Sequence, residues 1–388
     1  MLATLPSELL DMVVGQSFHI YIGLLSYPHP ELSLDDLVVG LERLPWKYLK
    51  YTQELGFSVP IHERVESRCV HHGGNERFSD EAVQGGLAEF LTDDENMDED
   101  TDQGMNKSRI VDPLCNLSSA LGSLRFPDDQ LRSFRWEVGT CIPEALFCGN
   151  ESFFGNQRQV QSITLITDGE CGATKNVQDF VDLVQFRELR SLDWRGLNQY
   201  NDFESVRECI KVHGHQIQSL TLDLLTWVRA EKIWADGFRQ RTPQRTRIPD
   251  NFFSQKVLNV HPRDQNVIFV SLENLQLSAV SFYHTGIEMA YAYNIESLKT
   301  LKLRNCPGSL DWLRMILDSV KPMKLRSLKL TVGLNSLDRD AYMHITDTTC
   351  NFIHHNSGLE SLYLMLREPI DWNTLTVVCH VIVISSTW

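Results

Sequence analysis

What the chain lacks narrows its function before any motif is read. No apolar run is long enough to cross a membrane. The longest, Val377–Ile384, is interrupted by His380, whereas a spanning helix needs about 20 residues. No Lys or Arg precedes Arg43, and Pro6, Glu8 and Asp11 interrupt the first apolar stretch, so no secretory leader is expected. Positive charge is scarce, with 36 Lys and Arg against 51 Asp and Glu. The resulting net charge of −15 repels phosphate and argues against a general nucleic-acid or anionic-membrane binder. The nine cysteines include no C-x-x-C pair, which speaks against a zinc ribbon or a disulfide framework. Reduced, mostly buried thiols in a soluble cytoplasmic or nuclear protein are the expectation.

Catalytic signatures are missing too. The chain has no G-x-x-x-x-G-K-[ST], G-x-S-x-G, H-E-x-x-H or G-x-G-x-x-G, so neither an enzyme nor a cofactor site is expected. His71, His72, His213, His215, His344, His354 and His355 show no ligand spacing, and no metal is expected. Asp168-Gly169-Glu170-Cys171-Gly172 follows a motif where a turn belongs and reads as a loop.

What is present is a repeat: apolar-x-x-apolar-x-apolar. Copies begin at Leu131, Val160, Leu189, Ile217, Leu272, Leu298, Leu325 and Leu359. The first four starts lie 29, 29 and 28 residues apart, and Leu272, Leu298 and Leu325 follow at 26 and 27. A fixed period of 20–29 residues with this pattern at each strand marks a leucine-rich-repeat solenoid. Alternate strand residues face one side, so the fourth and sixth motif positions point into the core and the first packs inward beside them. The expected fold is α/β, with parallel strands on a concave face and helices on a convex one. Val177–Phe186, Phe203–Ile210 and Trp312–Val320 carry apolar residues at helical spacing and supply candidate helices.

The fifth position points away from the core. Arg135, Asp193, Gln276, Lys302, Lys329 and Tyr363 are therefore the candidate target-binding residues, with Thr164 and Thr221 between them. The third position is small and polar throughout, from Ser133 to Ser361; strand geometry alone accounts for part of that ladder. Ile217 to Leu272 spans 55 residues, about two periods, without a clear motif between. This insertion, 227–268, carries Arg239, Arg241, Arg245 and Arg247. Its simplest reading is a solvated loop. Its functional reading is a basic contact for an acidic or phosphorylated partner, since the guanidinium fork pairs two oxygens.

Ahead of the repeats, residues 93–102 hold seven acids and no base; like charges at that density favour a disordered linker. The expected division is a helical segment at 1–50, an irregular or helical connector at 51–92, an acidic linker at 93–112, repeats at 113–370 and a tail of uncertain structure at 371–388.

The opening Leu5-Pro6-x-Glu8-Leu9-Leu10-x-Met12-Val13 resembles the start of an F-box. The repeat region resembles the target-binding half of F-box/leucine-rich-repeat proteins of filamentous fungi. Leu131 to Pro143, Leu165 to Gly169, and Phe282 through Asn305-Cys306-Pro307 carry this second resemblance. The run Gly15-Gln-Ser-Phe-His-Ile-Tyr-Ile-Gly23 departs from the F-box pattern, which leaves that module short and incomplete. The resemblance implies a substrate-recognition subunit of a Skp–cullin–F-box ubiquitin ligase. Leu5, Pro6, Leu9, Leu10, Met12 and Val13 would dock on a Skp-family adaptor and, through it, a cullin, and the repeat surface would hold a protein target. A repeat scaffold without a ligase role is the competing expectation, with the N-terminal helix serving only to cap the array.

Overall fold

Each motif becomes one short strand, and the described residues hold three further strands. The computed structural model describes residues 17–21, 52–58, 126–139, 142, 144–147, 152–167, 181–197, 200–224, 253–261, 266–280, 282, 288–306, 308–318, 323–333, 348, 351–356, 358–367 and 379–385. In chain order the strands are β1 (Ser17–Tyr21), β2 (Glu54–Ser58), β3 (Ser133–Glu137), β4 (Ser162–Ile166), β5 (Ser191–Arg195) and β6 (Ser219–Asp223). They continue as β7 (Asn274–Ser278), β8 (Thr300–Arg304), β9 (Ser327–Gly333), β10 (Ser361–Arg367) and β11 (Cys379–Ser385). The chain divides into two compact units, with the boundary between Ser205 and Val206.

In the first unit, β1 to β5 pair in sequence order, every pair parallel. In the second, β6 to β10 do the same, and β11 closes that series antiparallel to β10. The class is α/β, built on parallel strands with few helices.

The repeat fixes the register through its backbone. From β2 to β5 and again from β6 to β10, the carbonyl of the residue just before each strand accepts two N–H groups from the segment entering the next strand. Gln53 O takes Arg132 N at 2.7 Å and Ser133 N at 3.1 Å, and Lys299 O takes Arg326 N at 2.8 Å and Ser327 N at 3.1 Å. Past the strand the eighth residue turns left-handed in several copies: Gly196 (φ 86°), Ala279 (φ 59°) and Asn305 (φ 51°). Glycine reaches that region at no steric cost, and Asn tolerates it better than most residues. The N–H of Asn305 then donates to Thr331 O at 2.8 Å.

The core follows the expected columns. The first motif residue is buried in every copy from Leu131 to Leu325, and the fourth and sixth are buried in all eight. Each such aliphatic side chain stabilises the fold by about 1.5–3 kcal/mol when fully buried. The two units fill these columns differently. In the first unit Phe154 sits at the centre of an aromatic cluster, with ring centroids 4.7 Å from Phe134, 4.8 Å from Phe147 and 5.4 Å from Phe186. Phe57 extends the cluster to Trp136 at 5.7 Å. The Trp194 indole is fully buried and donates from Nε1 to Thr167 Oγ1 at 3.2 Å. In the second unit leucine fills both inner columns from Leu220 to Leu364. A smaller aromatic group lies apart from those columns, Phe269 on Tyr293 at 5.2 Å and Phe282 on Trp312 at 4.8 Å.

The helices of the described residues include α1 (Glu144–Phe147), α2 (Tyr200–His213), α3 (Glu288–Tyr291) and α4 (Ser309–Asp318). The spacing read from the sequence holds in α2, which buries Phe203, Val206 and Ile210, and in α4, which buries Trp312, Leu313 and Ile316. Asp202 and Lys211 stand at the ends of α2 that suit their charges. Just beyond α2, a Cβ on Gly214 would meet Ile210 O at 2.6 Å and Ile268 Cγ2 at 2.9 Å. The chain passes too closely there for a side chain.

Several expectations need correction. The helix expected over 177–186 does not form in its described part: residues 181–186 are irregular, with a turn at 184–185. Asp182 captures its own backbone, its Oδ1 accepting Val184 N at 3.0 Å, and a short side chain that bonds locally competes with helix. Ser17–Tyr21 is a strand inside the segment expected to be helical, and Glu54–Ser58 is a strand inside the expected connector. Both alternate apolar and polar residues, the strand period. Parallel strand pairing therefore begins well before residue 113. Part of the tail of uncertain structure is β11. β6 and β7 pair directly, and the described residues of the 227–268 insertion contribute no strand. The acidic run 93–102 lies outside the described residues.

Candidate binding face

The side chains opposite the core come from the third, fifth and seventh motif positions. Backbone register brings the fifth positions into rows. In the first unit Arg135, Thr164 and Asp193 are register neighbours. In the second unit the row runs Thr221, Gln276, Lys302, Lys329, Tyr363. The six residues singled out from the sequence thus fall in two rows, Arg135 and Asp193 in one and the other four in the second. Thr221 is buried despite its outward position. Leu5, Pro6, Leu9, Leu10, Met12 and Val13 lie outside the described residues, as do Arg239, Arg241, Arg245 and Arg247.

The first row neutralises itself locally. Arg135 Nη2 donates to Glu137 Oε1 at 2.7 Å. Arg195 binds Asp193 through two bonds, Nε to Oδ1 at 3.0 Å and Nη2 to Oδ2 at 2.8 Å. Each pair joins residues two apart on one strand, which share a face.

The second row leaves positive charge available. Lys302 and Lys329 sit side by side in register, and neither forms an ion pair with a described residue. Lys329 Nζ stands 4.5 Å from the centroid of the Tyr363 ring, a cation–π contact. Tyr363 Oη donates to Met365 Sδ at 3.6 Å. Arg304, two residues on from Lys302, reaches back across β7. Its Nε donates to Ser278 Oγ at 2.9 Å, and its Nη2 pairs with Asp223 on β6.

The seventh column was not singled out from the sequence, yet it carries Glu137, Arg195, Asp223 and Arg304 on the same face. The motif ends at its sixth residue, so the column escapes a motif count. Continuing the two-residue strand period one step would have found it.

Beneath this face Cys306 is buried, and its Sγ lies 3.5 Å from Leu277 O and from Arg304 O. Burial pushes its thiol up to about 12, so it stays protonated and unreactive at neutral pH. Burial, with the nearby Cys306 adding to it, also raises the Tyr293 hydroxyl well above its usual range. Cys209 is buried as well. His213, at the end of α2, lies with Nδ1 3.2 Å from Gln216 Nε2. Among the described residues no group of His, Cys, Asp or Glu is arranged to hold a metal ion. No described helix is long and apolar enough to cross a membrane.

No family model matches the chain, and no curated protein matches it. The class that the fold defines is an α/β protein of parallel strand repeats that turn mostly polar residues away from the core in each unit.

Proposed function

We propose that this chain is the substrate-recognition subunit of a Skp–cullin–F-box ubiquitin ligase. It performs no chemistry itself and holds a protein target on the polar face of a leucine-rich-repeat solenoid. The observation that carries the reading is the repeated pairing of short parallel strands whose fourth and sixth motif positions are apolar and buried and whose outer positions are mostly polar. Such an array gives a broad, regular surface for another protein. The opening Leu5-Pro6-x-Glu8-Leu9-Leu10 adds the ligase link by its resemblance to an F-box. Catalysis would come from proximity, since target and ligase are held together.

A second reading is a repeat scaffold with no ligase role. The strand at Ser17–Tyr21 favours it, because an F-box is a helical module and this strand falls inside the segment assigned to it.

Co-purification with a Skp-family adaptor separates the two. The expected result is capture by the full chain and loss of capture in the Leu9→Asp, Leu10→Asp double variant. Absence of capture by both forms would remove the ligase reading and leave the scaffold.

A further inference from the structure

We infer that the second unit's outer face recognises an acidic peptide segment of a partner protein, with Lys302 and Lys329 reading two carboxylates and Tyr363 an adjacent apolar residue. The inference rests on the reading of this face as a target surface and names the chemistry it selects.

The argument is one of charge and placement. Across β6 to β10 the third, fifth and seventh positions hold three cations, Lys302, Arg304 and Lys329, and one carboxylate, Asp223. Arg304 already occupies that carboxylate. Two positive charges therefore remain on a polar strand face of a chain whose net charge is −15. The neighbouring column behaves in the opposite way. In the second motif position Lys299 pairs with Glu273 at 2.7 Å and Arg326 approaches Glu360 at 3.9 Å. Among the third, fifth and seventh positions of β6 to β10, the cations without an ion pair to a described residue are thus Lys302 and Lys329.

Their spacing suits two carboxylates. Adjacent strands lie about 4.8 Å apart, and successive same-side residues of an extended peptide recur about every 6.6 Å. Flexible lysine stems span that difference. At one end of the row Tyr363 and Met365 offer an aromatic ring and a thioether, which suit an apolar side chain beside the acids. On the other side of the lysines Gln276, next to Lys302 in register, supplies an amide for a peptide carbonyl or N–H. Lysine is a point charge without a fixed fork, so the row selects acidity and order more than one rigid anion.

The test uses the immobilised full chain and degenerate peptide libraries with fixed central residues. One library carries Asp at two positions i and i+2 followed by Leu. A second carries Asn in their place, a third phosphoserine at the first of them, and a single-stranded RNA oligonucleotide is the fourth probe. The Asp library is expected to be retained about tenfold or more above the Asn library, with retention falling as salt rises. Lys302→Glu with Lys329→Glu should abolish that preference, and Arg314→Glu, an exposed position on α4, should leave it intact. Circular dichroism checks that each variant is folded. Equal retention of the Asp and Asn libraries, lost in the lysine double variant, would overturn the acidic chemistry while keeping the face as a binding surface. Preference for phosphoserine or RNA over Asp would also overturn it, as would an Asp preference that survives the lysine double variant. Failure of adaptor capture bears on the ligase reading alone.

Discussion

The two units use one repeat to different ends. The first packs its core with large rings, Phe57, Phe134, Trp136, Phe154 and Trp194, and closes its outer charges into short pairs on single strands. The second packs its inner columns with leucine and leaves Lys302 and Lys329 unpaired among the described residues. Leucines stacked in register accept many equivalent neighbours, whereas a ring cluster depends on the shape of each member. The comparison teaches that the inner columns of a repeat set stability and its outer columns set what the surface offers. The two can vary independently because strand alternation keeps them on opposite sides.

The largest expected effect breaks the comparison from inside. Phe154→Ala removes the ring on which Phe134, Phe147 and Phe186 pack. It should cost about 3–5 kcal/mol, read as a lowered urea midpoint with hydrogen exchange rising in β3 to β5. Leu303→Ala in the second unit should cost about 2–5 kcal/mol, with exchange rising in β7 to β9. Faster exchange spread evenly over both units from either variant would erase the distinction drawn between them.

High pH sharpens the second unit's side. Folding raises the Cys306 thiol from 9.0 to about 12. Its contribution is fully present below pH 9 and is lost as pH rises toward 12, because only the unfolded thiol is ionised between those values. Stability should fall by up to about 1.4 kcal/mol per pH unit in that window from this group. Cys306→Ala should flatten the slope in chemical denaturation run across the same range. An unchanged slope would show that the thiol ionises as readily folded as unfolded.

Gly214→Ala probes the close passage beside α2. The added Cβ would sit 2.6 Å from Ile210 O, a backbone atom that cannot swing aside, and the cost should be about 1–3 kcal/mol in urea unfolding. The smallest effects belong to the outer face. Arg195→Ala removes a half-exposed pair and should cost less than about 1 kcal/mol. Lys302→Gln should stay within about 0.5 kcal/mol of the parent. A much larger loss at Lys302 would mean that this lysine supports the fold.

Much of this was legible in the sequence, and the failures have physical causes. Eight motifs gave eight strands because three apolar positions at fixed spacing leave no other consistent face. β2 was missed since Thr52 stands where the first apolar residue belongs, although Thr52 is fully buried there. β1 has Gly15 at the equivalent place. The irregular stretch at 181–186 was read as helix because apolar spacing does not register the local bond made by Asp182. The fifth column of the face was readable from alternation, but the pairing of Arg304 with Asp223 was not. Those two are 81 residues apart, and only the register through Ser278 brings them together.

The most direct test of the central claim is a cysteine-labelling scan along β8. Thr300, Leu301, Lys302, Leu303 and Arg304 would each be replaced by Cys in the folded full chain, treated briefly with a maleimide and mapped by mass spectrometry. Alternating outer and inner columns predict rapid labelling at 300, 302 and 304 and protection at 301 and 303. Uniform labelling, or protection at 302 with labelling at 303, would contradict the assignment of the outer face and the reading built on it.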